Sequence, residues 1–186
     1  MLMIFHVTSV HPRYDQRIRK YVSGIGDEFK EVSLIVNDEE PEEDRKKYII
    51  KSLNAKSKSR FFRAIKFTVK LFIMSIFLKK SVFHLHDPEL IPSGILLRLV
   101  GHYVIFDVHE DYLAQSAERY SGLIKQYIYY IFIYTLFFFT RWFSALAHAT
   151  PYIYQRYHKF NNINFLMPNY VLQKECRQNI SILTKK

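Results

Sequence analysis

The chain has 186 residues, of which 49% are apolar and 17% aromatic, so it is long and apolar enough to form one domain with a sizeable core. Its single cysteine, Cys176, excludes an internal disulfide framework and a cysteine-based zinc site. The net charge of +10 indicates an anionic partner: nucleic acid, an anionic membrane or a phosphorylated small molecule.

Strand-like and helix-like segments alternate along the chain. The first residues, MLMIFHVTSV, lack a basic region before a short apolar run, so they predict a strand at 2–8 and not a signal peptide. Further strands are predicted at 32–36, 48–53, 81–85, 103–108, 143–147 and 163–167, and helices at 16–29, 59–80, 89–100, 120–142 and 152–158. An acidic loop is predicted at 38–44. This alternation predicts an α/β fold, with a parallel sheet covered by helices on both faces.

The predicted helix 59–80 has contrasting faces. Its basic residues recur at spacings of three and four and therefore share one face: Arg60, Arg63, Lys66 and Lys70. Apolar residues cover the rest of the helix: Phe61, Phe62, Ile65, Val69, Phe72, Ile73 and Ile76. A basic face beside a broad aromatic face is typical of a helix on a membrane surface. The alternative is a crossover helix packed on the sheet with a solvated basic face, and both can hold together.

The run YIYYIFIYTLFFF at 127–139 is the second aromatic concentration, and no charge occurs from Gln126 to Thr140. Fifteen residues make about 22 Å of helix, which is shorter than the roughly 30 Å hydrocarbon core of a bilayer. Tyrosines also suit a membrane interface better than its centre. The run therefore predicts a buried or interfacial helix and not a span, with Tyr130 and Phe138 as membrane contacts.

Nucleic acid is the other partner that positive charge could serve. The sequence contains no helix-turn-helix pattern, no RNP-like aromatic motif and no zinc finger. The aromatic residues also lie in apolar runs, where stacking on bases is not expected. We therefore predict that the chain has no nucleic-acid partner.

Three polar clusters follow predicted strands: HPRYDQR at 11–17, HLHDPE at 84–89 and DVHED at 107–111. Loops at the carboxyl ends of parallel strands converge, so these clusters are expected to share one site. The first cluster lacks the glycines of a dinucleotide fingerprint, although its backbone N–H groups could face an anion at the helix start. Asp15 is placed to cap the helix that begins at Gln16. Arg17 either contacts a phosphate or is simply solvated.

The second cluster allows two interpretations. Strand alternation puts His84 and His86 on one face, and His-x-His is a known metal-ligand spacing, but only His109 with Asp111 could complete that metal site. The structural alternative is a helix start, with Pro88 and Glu89 in the first turn and Asp87 as the N-cap. The third cluster places His109 just beyond an apolar strand. This histidine is either structural or a group that binds a hydroxyl or moves a proton, and its neighbours Glu110 and Asp111 favour function.

Three motifs together carry a resemblance to a known family: HVTSVHPRYDQRIRKYVSGI, FHLHDPELIPSGILLRLVGHYVIFDVHEDY and ATPYIYQRYHKFNNINFLMPNY. In this order and spacing they resemble the N-terminal half of a GT-B glycosyltransferase of the GT4 type. Similar enzymes act in bacterial capsule, O-antigen and exopolysaccharide synthesis. The resemblance covers residues 1–172 and implies a single Rossmann-like domain, the acceptor-side half of the enzyme.

The resemblance also implies a chemistry. Transfer would be retaining and metal-independent, from a nucleotide-sugar donor to a saccharide or lipid-linked saccharide, without a cofactor. His109 would contact the donor sugar at the reaction centre, and we predict Glu110 as a second catalytic residue. The predicted substrate-binding residues line the same cleft: His11, Asp15, Arg17, His86, Asp87, Glu89 and Asp111. Carboxylates and histidines orient hydroxyls, and cations stabilise the leaving diphosphate.

Enzymes of this type carry a second domain that binds the donor. The sequence after residue 172 is too short to supply it, so we expect residues 173–186 to be a truncated linker or tail. The chain alone is then expected to be inactive and to need a separate C-terminal donor-domain chain. We expect it in the cytoplasm, peripheral on the inner face of the cell membrane. The alternatives are a non-catalytic membrane-peripheral subunit that recruits a donor-domain partner, and an inert fragment.

Overall fold

The computed structural model of the protein describes residues 2–26, 29, 31–45, 48–115 and 120–168. The predicted tail at 173–186, with Cys176, lies outside the described residues.

Within the described residues, eight strands form one sheet in the order β3-β4-β2-β1-β5-β6-β7-β8. The strands are β1 (Ile4–Val7), β2 (Val32–Val36), β3 (Glu43–Arg45), β4 (Tyr48–Ser52), β5 (Val82–Leu85), β6 (Tyr103–Val108), β7 (Ala145–His148) and β8 (Asn164–Leu166). All neighbouring pairs are parallel except β3 and β4, which are antiparallel. Strand β3 was not predicted: it overlaps the end of the predicted acidic loop at 38–44, and a short charged edge strand carries no hydrophobic pattern.

The helices occupy the predicted positions, with ends that differ by a few residues. They are α1 (Gln16–Gly26), α2 (Arg60–Ile76), α3 (Ile91–Leu99), α4 (Leu123–Phe139) and α5 (Pro151–Tyr157). Short 3-10 turns precede α3 at Pro88–Leu90 and follow α4 and α5. The predicted α/β fold is confirmed: a Rossmann-like domain with a parallel sheet and helices on both faces.

The two faces of the sheet carry separate cores. On one face, Ile18 and Val22 of α1 pack on apolar residues of β1, β2 and β4. On the other face, α2 to α5 cover a larger core that includes Phe5, Phe83 and Phe106. Strand alternation therefore sends three polar groups toward the α1 face, at His6 of β1, His84 of β5 and Asp107 of β6.

The strand order reverses between β1 and β5. Strand β1 pairs with β2 on one side and with β5 on the other, and the chain winds outward in both directions from this point. A crevice forms at such a switch point, outside the carboxyl ends of the two strands. The loops after β1 and β5 border this crevice. The loop after β6 lies next to the β5 loop, because β6 is the neighbour of β5 in the sheet.

Helix α2 buries one narrow face against the sheet and leaves most of its other apolar residues exposed. Its buried residues are Phe67, Leu71 and Ser75, whereas Phe61 and Phe62 are 69% and 59% exposed. The exposed apolar surface continues along the helix at Ile65, Val69, Ile73, Ile76 and Phe77. A broad apolar surface therefore faces away from the sheet, with the basic residues on its flank.

Helix α4 is also largely exposed. It packs on the core through Ile133 and Phe137, while most of its other aromatic and aliphatic side chains are exposed. Tyr130 is half-buried against the core, and Phe138 is exposed. Among the described residues, Leu123–Trp142 is the one helical segment long and apolar enough to cross a membrane, and 17% of its most apolar window is buried. The prediction of a buried helix is therefore wrong; the interfacial alternative stays a prediction.

Candidate functional site

Asp87 holds the loop that follows β1. Its Oδ2 accepts hydrogen bonds from the Thr8 hydroxyl at 2.8 Å, the Ser9 N–H at 2.6 Å and the Val10 N–H at 3.3 Å. Burial raises the pKa of Asp87, and the hydrogen bonds that it accepts oppose this shift. The residue stands at the predicted N-cap position of the turn Pro88–Leu90, but its side chain makes no capping hydrogen bond. The predicted cap is therefore wrong: the carboxylate reaches across the switch point instead.

Glu89 joins the same loop to α2. Its Oε1 accepts a hydrogen bond from the Ser9 hydroxyl at 2.7 Å, and its Oε2 accepts one from Arg60 Nε at 2.9 Å. The bond to Glu89 raises the pKa of Arg60. Arg60 was predicted as a membrane contact and Glu89 as a substrate contact. The structure pairs them, so the basic flank of α2 begins at the rim of the crevice.

His11 and Asp15 lie at the start of α1. Asp15 Oδ1 accepts a hydrogen bond from the Ile18 N–H at 3.1 Å, which confirms the predicted cap. The second oxygen of Asp15 lies 3.2 Å from His11 Nδ1, and His11 Nε2 lies 3.4 Å from Asp87 Oδ1. His11 therefore bridges two carboxylates and is 26% exposed at the crevice.

Asp107 is the centre of the site; the sequence analysis included it in the third polar cluster but gave it no role. Its buried Oδ2 lies 3.0 Å from His86 Nδ1, 3.6 Å from His109 Nδ1 and 3.8 Å from Arg17 Nη2. Arg17 Nη2 is itself buried and makes no hydrogen bond to the described residues. One signal was present in the sequence: a carboxylate inside the otherwise apolar strand VIFDV.

His109 lies between Asp107 and Tyr112. Its Nε2 is 3.2 Å from the Tyr112 hydroxyl, and its ring meets the His11 ring edge-on at 5.6 Å. Burial is the main cause that lowers the pKa of His109 to about 4, with further lowering by Arg17 and His11 and an opposing effect of Asp107. The imidazole is therefore neutral at pH 7. A neutral imidazole can donate one hydrogen bond and accept another, which suits contact with a hydroxyl.

The other two acids of the third cluster diverge from His109. Glu110 is exposed and accepts a hydrogen bond from Gln115 Nε2 at 2.6 Å. Asp111 is tied to α5, since it accepts hydrogen bonds from the hydroxyls of Tyr157 and Tyr152 at 3.0 and 3.2 Å and pairs with Arg156 at 2.9 Å. The structure therefore gives Asp111 a bracing position. It also separates Asp111 from His84 and His86, so the metal site considered from the sequence does not form.

A second cleft, of about 570 Å³, opens beside the crevice. The β1 loop and the segments that follow β2 and β4 line it, with polar and basic residues that include Asn37, Asn54, Lys56, Lys58 and Arg63. Arg63 is the one member of the predicted basic face of α2 that reaches this cleft. Lys66 and Lys70 instead donate hydrogen bonds to backbone carbonyls of the segment before α2, at Lys56, Leu53 and Asn54.

Replacing Asp87 with alanine should destabilise the fold by about 2–4 kcal/mol. The substitution leaves the buried Thr8 hydroxyl and Ser9 N–H without their acceptor, and an unmade buried hydrogen bond is costly. Urea unfolding followed by circular dichroism measures the loss. Asp15→Ala is the matched control, because it removes a helix cap and should cost only about 1 kcal/mol. Equal losses in the two variants would contradict the role of Asp87 as the tie across the switch point.

Acid should destabilise the protein through His109. Its folded pKa is about 4 and its ordinary value is 6.5, so the unfolded state binds more protons as the pH falls below 6.5. Its contribution to the unfolding free energy is complete above pH 6.5 and is lost toward pH 4, by about 3 kcal/mol in total. His109→Gln should flatten the pH profile of stability in this window, relative to the unsubstituted protein. An unchanged profile would show that the imidazole is not kept neutral by the fold.

No protein-family model and no curated protein matches the chain, but solved structures share its fold. Sucrose-phosphate synthase from Thermosynechococcus elongatus aligns with a TM-score of 0.64 at 12% identity, over 90% of this chain and 48% of that one. The structure described as trehalose-6-phosphate from E. coli, bound with UDP-2-fluoro glucose, gives 0.58 at 10% identity, over 93% and 50%. The UDP-forming α,α-trehalose-phosphate synthase from Burkholderia vietnamiensis gives 0.55 at 10%, over 86% and 42%. At these identities the likeness shows the fold, and the chain spans about half the length of these structures.

Proposed function

We propose that the chain is the acceptor-side half of a GT-B glycosyltransferase of the GT4 type. Its motifs resemble that family, and its fold matches about half of each of the three structures just described, one of which is bound with UDP-2-fluoro glucose. The observation that carries the proposal is His109, a neutral imidazole whose side chain is only 6% exposed and which contacts Asp107 and Tyr112 at the carboxyl ends of the strands. A fold by itself does not support an activity. The proposal therefore rests on the site, where a neutral imidazole lies beside a carboxylate and a guanidinium.

The reaction would be retaining transfer of a hexosyl group from a nucleotide-sugar to a saccharide. Breaking the bond to the nucleotide diphosphate develops positive charge on the sugar and negative charge on the leaving group. His109 would bind a sugar hydroxyl, and the Arg17 guanidinium would add positive charge on the donor side. Glu110 remains a candidate catalytic residue at the exposed rim of the crevice. The oxygens of Asp111 already bind Tyr157 and Arg156 of α5. No step requires a metal or cofactor.

The acceptor is proposed to be lipid-linked, as in surface polysaccharide synthesis. The exposed apolar surface of α2 begins at Phe61, next to Arg60, whose partner Glu89 borders the crevice. A saccharide bound in the crevice could therefore keep its lipid in a bilayer beneath α2 and α4. The chain would work in the cytoplasm, peripheral on the inner face of the cell membrane, together with a donor-binding half.

The transfer test joins the chain to the donor-binding half of a GT4-type enzyme. The fusion is incubated with labelled nucleotide-sugars and with lipid extracts as acceptors, and label in the lipid fraction is measured. We expect transfer by the fusion and none by either half alone. Failure of every donor half to give transfer would favour the alternative, a non-catalytic membrane subunit that recruits a donor-domain partner. The large exposed surfaces of α2 and α4 are what favour that alternative.

Membrane binding should depend on the exposed face of α2. Replacing Phe61, Phe62 and Ile65 together with serine removes apolar surface without touching the buried residues of the helix, so binding to anionic vesicles should fall about tenfold or more. Vesicle co-sedimentation measures this partition. Phe29→Ser is the control, because Phe29 is 43% exposed beyond the end of α1, on the other side of the sheet. Equal binding by the triple variant and the control would rule out α2 as the membrane surface.

A further inference from the structure

Three buried histidines lie together on the α1 face of the sheet. His6 of β1 and His84 of β5 are register partners, and His86 lies two residues beyond His84. Their ring centroids are 4.6–5.3 Å apart, and one ring nitrogen of each lies within 4.8 Å of the others. The His6 and His86 side chains are fully buried and His84 is 4% exposed. The cluster is therefore shielded from bulk solvent and brings several imidazole nitrogens close together.

The hydrogen bonds leave nitrogen lone pairs in this cluster. His86 Nδ1 lies 3.0 Å from the Asp107 carboxylate, which can only accept, so Nδ1 carries the proton and His86 Nε2 is an acceptor. That Nε2 accepts a hydrogen bond from His6 Nδ1 at 3.0 Å, so the free lone pair of His6 is on its Nε2. His6 Nε2 and His84 Nε2 are buried without a hydrogen-bond partner among the described residues. Unpaired buried polar atoms are uncommon in native proteins and call for an explanation, such as an absent ion.

We infer that His6, His84 and His86 form a site for one divalent transition-metal ion of the zinc class. Imidazole nitrogen is a preferred ligand of zinc, copper and nickel, and three histidines are an established zinc set. Two nitrogens on one tetrahedral zinc ion lie about 3.3 Å apart, so binding would draw the more distant of these nitrogens together by about 1–1.5 Å. The fourth position would take a water molecule or another small ligand. Asp107 would orient His86 from the far side of its ring, as outer carboxylates do around zinc.

The inferred ion takes no part in the chemistry of the proposed transfer reaction. It would lie behind the crevice, and its effect on the site would pass through His86 to Asp107, the residue that also contacts His109 and Arg17. A bound ion would fix the His86 ring and therefore the carboxylate that faces His109. Its role is structural, so it remains compatible with transfer that needs no metal.

Metal content and stability test the inference directly. The whole purified chain is stripped with a chelator, incubated with zinc, passed over a desalting column and analysed by elemental mass spectrometry and thermal unfolding. We expect one zinc per chain, a raised Tm, and, with cobalt in place of zinc, the visible absorption of tetrahedral cobalt. A chain that retains no zinc and shows no change in Tm overturns the inference.

Substitutions separate this site from adventitious binding. His84→Ala should weaken zinc binding at least about 100-fold, and Asp107→Asn should weaken it about 10- to 100-fold. His158→Ala is the control, because His158 is exposed just after the end of α5 and should leave binding unchanged. Equal zinc retention in His84→Ala and His158→Ala overturns the inference. If His84→Ala does not fold, His84→Gln takes its place. The zinc content and Tm of the unsubstituted chain test the inference without any variant. None of these readouts requires transfer activity.

Discussion

Replacing His109 with alanine, in the chain joined to a donor-binding half, should lower the rate of sugar transfer by about 100- to 10,000-fold. The reason is that a positioned hydrogen-bonding or proton-transfer group at a reaction centre contributes an effect of this size. His109 follows the carboxyl end of β6, and its neutral imidazole lies 3.6 Å from Asp107 Oδ2 and 3.2 Å from the Tyr112 hydroxyl. The kcat for label transfer should fall while vesicle binding stays constant.

His158→Ala is the matched control for this experiment. His158 is an exposed histidine after α5 whose ring nitrogen contacts backbone carbonyls of its own helix, so it should leave transfer unchanged. Asp107→Asn offers a graded comparison, because it removes the charge beside His109 and keeps the shape of the side chain. Full activity in His109→Ala would remove the catalytic role and favour the non-catalytic subunit. Loss of vesicle binding in the same variant would point instead to a folding defect.

Replacing Phe137 with alanine should destabilise the protein by about 3–5 kcal/mol. The Phe137 ring is fully buried, and four other aromatic rings surround it, those of Phe106, Tyr112, Tyr157 and Phe160. Deleting a ring of this kind removes apolar contacts and leaves a cavity that the neighbours can fill only partly. Urea unfolding followed by circular dichroism gives the loss.

Phe138 is the natural comparison, because it is the next residue along α4 and is 45% exposed. Phe138→Ala should change stability by no more than about 0.5 kcal/mol, as is usual for surface substitutions. If α4 lies on a membrane, the same substitution should weaken vesicle binding, whereas folded Phe137→Ala should bind vesicles normally. Similar stability losses in both variants would mean that the two faces of α4 have been assigned wrongly.

Most of the fold could be predicted from the sequence, because the spacing of apolar residues within each short segment distinguishes strands from helices. Apolar runs of four to six residues separated by helical patterns predict a parallel sheet, and seven of the eight described strands were found in this way. The cap at Asp15 was also predictable, since the residue that it caps is three positions away. Strand β3 was missed because its three residues, Glu43–Arg45, are held by pairing with β4 and have no apolar pattern of their own.

The candidate site was only partly predictable, because its hydrogen bonds join distant parts of the chain. Asp87 was interpreted as a cap, yet its partners Thr8 and Ser9 lie 79 and 78 residues earlier. Asp111 stays a predicted substrate-binding residue, but its hydrogen bond from Tyr157, 46 residues later, could not be foreseen from the local pattern. A local sequence pattern does not determine with which of two nearby elements an aspartate side chain forms hydrogen bonds. That choice depends on how the strands are ordered in the sheet.

The sequence by itself determined the period of each element, the α/β class and the three polar loops at the strand ends. These follow from local sterics and from alternation of apolar and polar residues. Only the tertiary structure decided that Asp107 is the hub of the site, that His6 joins His84 and His86, and that α2 buries Phe67 and Leu71 while Phe61 and Phe62 stay exposed. The physical reason is that a helix or strand with apolar groups on two faces can bury only one of them against the sheet, and the neighbouring elements decide which.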